Sequence, residues 1–87
     1  MDKKWYLYIL ECNDGSLYTG ITDDVERRLN AHQKGKGAKY TRGRSPLLLR
    51  YTEICDNHSV ALKREIQVKN LTKAQKMQLF NLQNEES

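Results

Sequence analysis

Apolar and polar positions are most regularly arranged at the start of the chain. Residues 5–12 alternate well enough for a strand and are rich in aromatic and β-branched types. Asn13-Asp14-Gly15 is turn chemistry, and Leu17–Thr22 reads as the returning strand of a hairpin. Two registers fit these residues. A two-residue Asp-Gly turn pairs Cys12 with Leu17 and throws Tyr8 and Tyr18 onto opposite faces. A three-residue loop with Gly15 left-handed pairs Cys12 with Ser16, so that Tyr8 faces Gly20 and Leu10 faces Tyr18 on one side. In that register Leu7, Ile9, Leu17, Thr19 and Ile21 share the other side. Propensity alone does not choose between them.

The period then changes to that of a helix. Thr22 or Asp23 is the expected cap, Asp24 and Glu26 suit the positive end of the helix dipole, and Val25, Leu29 and His32 mark one stripe. Arg28 and His32 lie one turn apart on a shared face. Gly35 and Gly37 end the helix, and residues 35–46 form a basic loop with one helical turn near Ala38–Tyr40, closed by Ser45-Pro46. Leu47–Cys55 reads as a third strand. Asn57 or Ser59 caps a helix running to about Lys69, and Thr72-Lys73-Ala74-Gln75 is a capping box that opens a separate last helix. Ala74, Met77, Leu79, Phe80 and Leu82 give that helix an apolar side, and residues 84–87 are expected to fray. The order β-β-α-β-α-α predicts an α+β fold, a three-stranded antiparallel sheet packed by helices. A single domain over 1–87, with its core at about 5–80, is expected.

Composition narrows the function classes. The chain is 38% hydrophobic and 30% charged, too apolar in its patterned segments for disorder. No apolar run is long enough to span a membrane and no secretory leader is evident, so a cytoplasmic protein is expected. Cys12 and Cys55 lack metal-site spacing and read as reduced, half-buried strand residues. Net charge is only +4, but Arg27–Thr52 holds eight basic residues and no acidic one. Such a one-sign block suits a polyanion, and Tyr40 within it could stack on a base. The competing reading of the block is a solvated loop.

Taken singly, Tyr8, Tyr18, Arg28 and Glu65 are ordinary strand and helix residues. Their spacing is not ordinary. Nine residues separate Tyr8 from Tyr18-Thr19-Gly20, seven more lead to Arg28 and three to His32, with a helical Glu65 much later. This pattern resembles the GIY-YIG nuclease superfamily, closest to its small standalone bacterial group, over roughly residues 5–80. Tyr6-Leu7-Tyr8 stands for the first motif, with Tyr6 in place of glycine. Tyr18-Thr19-Gly20 stands for the second, with Thr19 in place of an aliphatic residue. Ile21 occupies a position that is polar or basic in several members, and Asn70 follows Glu65 too closely to be their downstream asparagine.

The resemblance implies the three-residue hairpin loop, with both tyrosines lining one site. It implies a metal-dependent endonuclease that hydrolyses phosphodiester bonds in DNA, in repair or processing, with RNA not excluded. Glu65 would hold Mg²⁺, or Mn²⁺, Arg28 would bind the phosphate, Tyr8 would serve as general base, and Tyr18 would position water or phosphate. Arg28 and the metal would favour the Tyr8 phenolate, and His32 would orient the phosphate or shuttle a proton. Gly20 would leave bare space for a phosphate, and Lys34, Lys36, Lys39, Tyr40, Arg42 and Arg44 would follow the nucleic acid. A protein partner could supply specificity. The alternatives are a non-catalytic nucleic-acid-binding module of the same fold and a scaffold whose basic block meets an acidic protein surface.

Overall fold

The computed structural model describes residues 3–85. Strand β1 (Trp5–Glu11) runs down the middle of a three-stranded antiparallel sheet, between β2 (Leu17–Thr22) and β3 (Leu48–Cys55). A strand covered on both faces needs apolar groups at consecutive positions, and Leu7, Tyr8, Ile9 and Leu10 are all buried. Alternation then sorts them. Leu7 and Ile9 join Val68 and Phe80 on one face, while Tyr8 and Leu10 join Cys12 and Leu47 on the other.

The hairpin adopts the three-residue loop. The Cys12 N–H donates to the Ser16 carbonyl at 2.8 Å, the Gly15 N–H donates to the Cys12 carbonyl at 2.9 Å, and Gly15 has φ 84°. Asp14 holds the turn by accepting from the Ser16 N–H at 3.0 Å and hydroxyl at 2.6 Å. Tyr8 therefore pairs with Gly20 and Leu10 with Tyr18. On the other side of β1, the ladder to β3 shifts between Ile9 and Leu10, where Ile9 faces Tyr51 and Leu10 faces Leu49.

Helix α1 (Val25–Gln33) packs Leu29 and His32 against the Tyr8 face. Its cap is Asp24, one residue later than expected, whose carboxylate accepts from the Arg27 N–H at 3.0 Å. Thr22 serves instead one step earlier, its hydroxyl accepting from the Asp24 N–H at 3.1 Å. A 3₁₀ turn at Lys39–Thr41 breaks the basic loop. The loop is then clamped to the hairpin tip. The Asn13 N–H donates to the Arg44 carbonyl at 2.9 Å, its side-chain amide donates to the Ser45 carbonyl at 2.9 Å, and Arg44 pairs with Asp14. Leu47 is buried ahead of β3 rather than in it, because the Gln33 side-chain amide takes both its N–H and its carbonyl.

Helices α2 (His58–Lys69) and α3 (Lys73–Glu85) cover the Leu7/Ile9 face. Asn57 caps α2 through the Val60 N–H at 2.9 Å. Thr72 and Gln75 exchange the two capping-box bonds at 2.9 and 3.1 Å. The apolar side expected for α3 is only partly used: Phe80 is buried and Leu79 half-buried, whereas Ala74, Met77 and Leu82 are exposed. Val68 and Leu71 already cover part of the narrow sheet, leaving α3 little more than the Tyr51 region to pack on. Residues 84–85, where fraying is expected, are the last two of α3, and residues 86–87 lie outside the described residues. Cys12 and Cys55 are fully buried and not disulfide-bonded, and Cys12 lies just beyond β1 rather than within a strand.

Candidate active site

The Tyr8 face is polar where the other is dry. Tyr8 is 2% exposed, its hydroxyl lies 2.9 Å from His32 Nε2, and the Arg28 charge lies close enough to act on it. Tyr18 packs alongside, its ring centroid 6.3 Å from that of Tyr8 and 5.2 Å from that of His32. Opposite Tyr8, a side chain on Gly20 would bring its Cβ within 2.5 Å of the Tyr8 hydroxyl. Glycine is therefore required there by the tyrosine itself. The space expected to admit a phosphate is filled by that hydroxyl.

His32 is completely buried, which removes it from direct contact with a phosphate. Its Nδ1 lies 2.7 Å from the Thr41 hydroxyl, and a side chain at Gly37 would run into the imidazole ring. Burial first, and the nearby Arg28 charge second, hold its pKa below the ordinary histidine value, so the ring is neutral near pH 7. Burial also dominates at Tyr8, whose pKa is pushed up to about 12. Arg28 favours the phenolate, as expected, but is outweighed, and Tyr18 and Glu65 oppose ionisation further. Without other charges Tyr8 is a neutral phenol.

Arg28 is half-buried and has no carboxylate partner among the described residues. It also borders a surface groove of about 370 Å³ shared with Trp5, Ile21, Thr22 and Arg27. Arg28 thus lies between the buried tyrosine and an open groove. Glu65 comes from the other layer: α2 packs on the Leu7/Ile9 face, yet the carboxylate is close enough to act on Tyr8. It is half-buried and pairs with Lys69 one turn on, at 3.4 Å. Among the described residues no three His, Cys, Asp or Glu side chains cluster as a metal cage. A lone carboxylate fits Mg²⁺, a hard ion that keeps several waters and completes its shell with substrate phosphate.

The basic block divides. Lys34, Lys36, Lys39 and Arg42 are exposed and have no carboxylate partner among the described residues. Arg44 is tied to Asp14 and lies 4.5 Å over the Tyr40 ring, which in turn stacks on Tyr18 at 5.8 Å. Tyr40 thus stands in a column with Tyr18 and Arg44 while remaining exposed at the surface. Thr41 and Gly37 went unnoticed in the sequence. Gly37 looked like a helix breaker, and only packing shows that it makes room for His32.

The GIY-YIG catalytic domain profile matches residues 4–78. The chain belongs to the GIY-YIG family. A UPF0213 protein of Halobacterium salinarum is 53% identical over 75 residues, covering 86% of this chain and 97% of that one. A UPF0213 protein of Oceanobacillus iheyensis is 46% identical over 86 residues, covering 99% and 100%. The solution NMR structure of EF2693 from E. faecalis matches with a TM-score of 0.68 at 43% identity, over 99% of this chain and 92% of that one. That of the UPF0213 protein BH0048 from Bacillus halodurans matches with 0.59 at 51% identity, over 91% and 84%. These GIY-YIG relatives carry names that state no activity, while the superfamily as a whole is one of nucleases that typically use a divalent metal. No helix among the described residues is long and apolar enough to cross a membrane.

Proposed function

We propose that this chain is a divalent-metal-dependent endonuclease that hydrolyses phosphodiester bonds in DNA, acting in repair or processing with low or structure-based specificity. The observation that carries this reading is the position of Arg28, whose charge acts on a buried tyrosine and which also borders an open groove. A planar, permanently charged fork there would bind a phosphate and stabilise the charge that grows on it during attack. Tyr8 would accept the proton of the attacking water, and Tyr18 would pack that phenol in place. Glu65 would hold Mg²⁺ or Mn²⁺; when bound, the ion neutralises phosphate charge and stabilises the leaving 3′ oxygen. Lys34, Lys36, Lys39 and Arg42 would follow the backbone outside the site. With Arg28 they offer five phosphate contacts, for a log–log salt slope of roughly −4 to −5 on duplex DNA.

A non-catalytic nucleic-acid-binding module is the second reading, favoured by the high Tyr8 pKa. Plasmid, forked and single-stranded DNA incubated with Mg²⁺ or Mn²⁺, wild type beside Glu65→Ala, separate the two. Metal-dependent cutting abolished by Glu65→Ala supports the nuclease. Salt-sensitive binding without cutting supports the module. Equal cutting by both proteins would remove Glu65 from the site.

A further inference from the structure

Thr41 lies in the basic loop, far from the tyrosine motifs in sequence, and is 1% exposed. Its hydroxyl lies 3.0 Å from the Ala38 carbonyl and 2.7 Å from His32 Nδ1. A carbonyl can only accept, so the single Thr41 proton is spent on Ala38 and the hydroxyl oxygen is left to accept. The group facing it must then be an Nδ1–H. A neutral imidazole protonated at Nδ1 has its lone pair at Nε2, and 2.9 Å beyond Nε2 lies the Tyr8 hydroxyl. The Ala38 N–H also points toward Nδ1, but at 3.4 Å. Nδ1 as acceptor would take that N–H, but Nε2 would then present a proton and leave the buried Tyr8 hydroxyl proton without an acceptor among the described residues. The Nδ1–H form keeps the two shorter bonds, at 2.7 and 2.9 Å, and gives up only the longest, the Ala38 N–H at 3.4 Å, so it is favoured in this buried site.

We infer that Thr41 is a positioning residue of this site: by accepting from His32 Nδ1–H it fixes His32 Nε2 as the acceptor of the Tyr8 hydroxyl proton. The tautomer is a property of the fold alone, and its catalytic meaning rests on the nuclease reading. With the phenol proton aimed at His32, a lone pair of the Tyr8 oxygen stays turned toward Arg28. A neutral phenol then suffices. As a water proton moves onto that oxygen, the phenol's own proton passes to Nε2. The products are hydroxide and an imidazolium whose Nδ1–H still meets Thr41. The arrangement also latches the loop that carries Lys39 and Arg42 to the site, because Ala38 and Thr41 close over the ring.

Nitrogen NMR of ¹⁵N-labelled protein, with His58→Gln to assign the two imidazoles, reads the tautomer directly. A neutral His32 protonated at Nδ1 is expected in wild type and in Thr41→Ser, and a shift toward the Nε2–H form in Thr41→Val. An Nε2–H tautomer in the wild type would overturn the inference, whether or not the valine variant folds. In the cleavage assay Thr41→Val is expected to lower kcat at least about tenfold with KM for DNA little changed, and Thr41→Ser to restore most of it. A folded Thr41→Val with wild-type kcat would overturn the catalytic role. If the wild type cuts nothing, the nuclease reading falls, and the NMR result alone decides the hydrogen-bond assignment.

Discussion

Val68 and Phe80 meet Leu7 and Ile9 across one face of the sheet, and apolar contact is what that face supplies. One residue along the same strand, Tyr8 is joined by a hydrogen bond to His32 and, through His32, to Thr41, with the Arg28 charge acting on it. The first face is interchangeable in kind, since any well-packed apolar set would serve it. The second depends on particular atoms in particular orientations. A strand buried on both sides can thus carry a core and a chemical site at once, separated only by alternation.

Variants on the two faces should separate accordingly. The largest effect is expected for Glu65→Ala and Tyr8→Phe, which should cut DNA about 10²–10⁴ times more slowly while unfolding near the wild-type midpoint in urea. A Tyr8→Phe protein as active as wild type would remove the functional half of the comparison. Leu7→Ala should do the reverse, costing about 2–5 kcal/mol of stability through the cavity it leaves. Urea titration reads this, and activity of the remaining folded protein should hold. Next comes Gly20→Ala, whose methyl group meets the Tyr8 hydroxyl and ring. It should cost about 1–3 kcal/mol, and less in a Tyr8→Phe background, because the hydroxyl makes the closest approach.

The faces should also respond differently to pH. Tyr8 has a folded pKa near 12 against an ordinary value of 10.0, so its share of stability is whole below about pH 10 and is lost as pH rises toward 12. Tyr8→Phe should flatten that alkaline limb of the urea midpoint. His32 has a depressed folded pKa, so its contribution is whole above the ordinary value of 6.5 and is lost as pH falls below it. The smallest effect is a gain. The Thr19 hydroxyl is buried on the dry side without a hydrogen-bond partner among the described residues. Thr19→Val should stabilise the protein by about 1 kcal/mol by removing an unpaired polar group at nearly constant shape. A loss on thermal melting would show that the hydroxyl has a partner after all.

Much of the fold was legible because periodicity and capping are local. Asn57 and the Thr72–Gln75 box acted as their residue types predict. The hairpin register was not, since Asp14-Gly15 suits either loop. The spacing of the tyrosines in the family motif pointed to the one observed. The expected pocket residues Tyr8, Tyr18, Arg28 and His32 do converge, and Glu65 reaches Tyr8's surroundings from the opposite layer. What no local pattern could reveal was burial. It raises the Tyr8 pKa against Arg28, fills the space at Gly20 and withdraws His32 from solvent. Nor could a local pattern show that Tyr40 stacks on Tyr18 and under Arg44, partners that come from distant segments.

The clamp between Asn13-Asp14 and Arg44-Ser45 has a consequence for binding heat. It pins one end of the basic loop to the hairpin, and the 3₁₀ turn over His32 pins the middle. A polyanion arriving at Lys39 and Arg42 meets a backbone that is already ordered, so little conformational entropy remains to be surrendered. Calorimetry should therefore record binding dominated by the favourable entropy of released counterions, without the large negative heat-capacity change of a segment that folds on contact. Removing both side-chain ties of the clamp with Asn13→Ala and Asp14→Ala together would move that signature toward coupled ordering while leaving every loop cation in place.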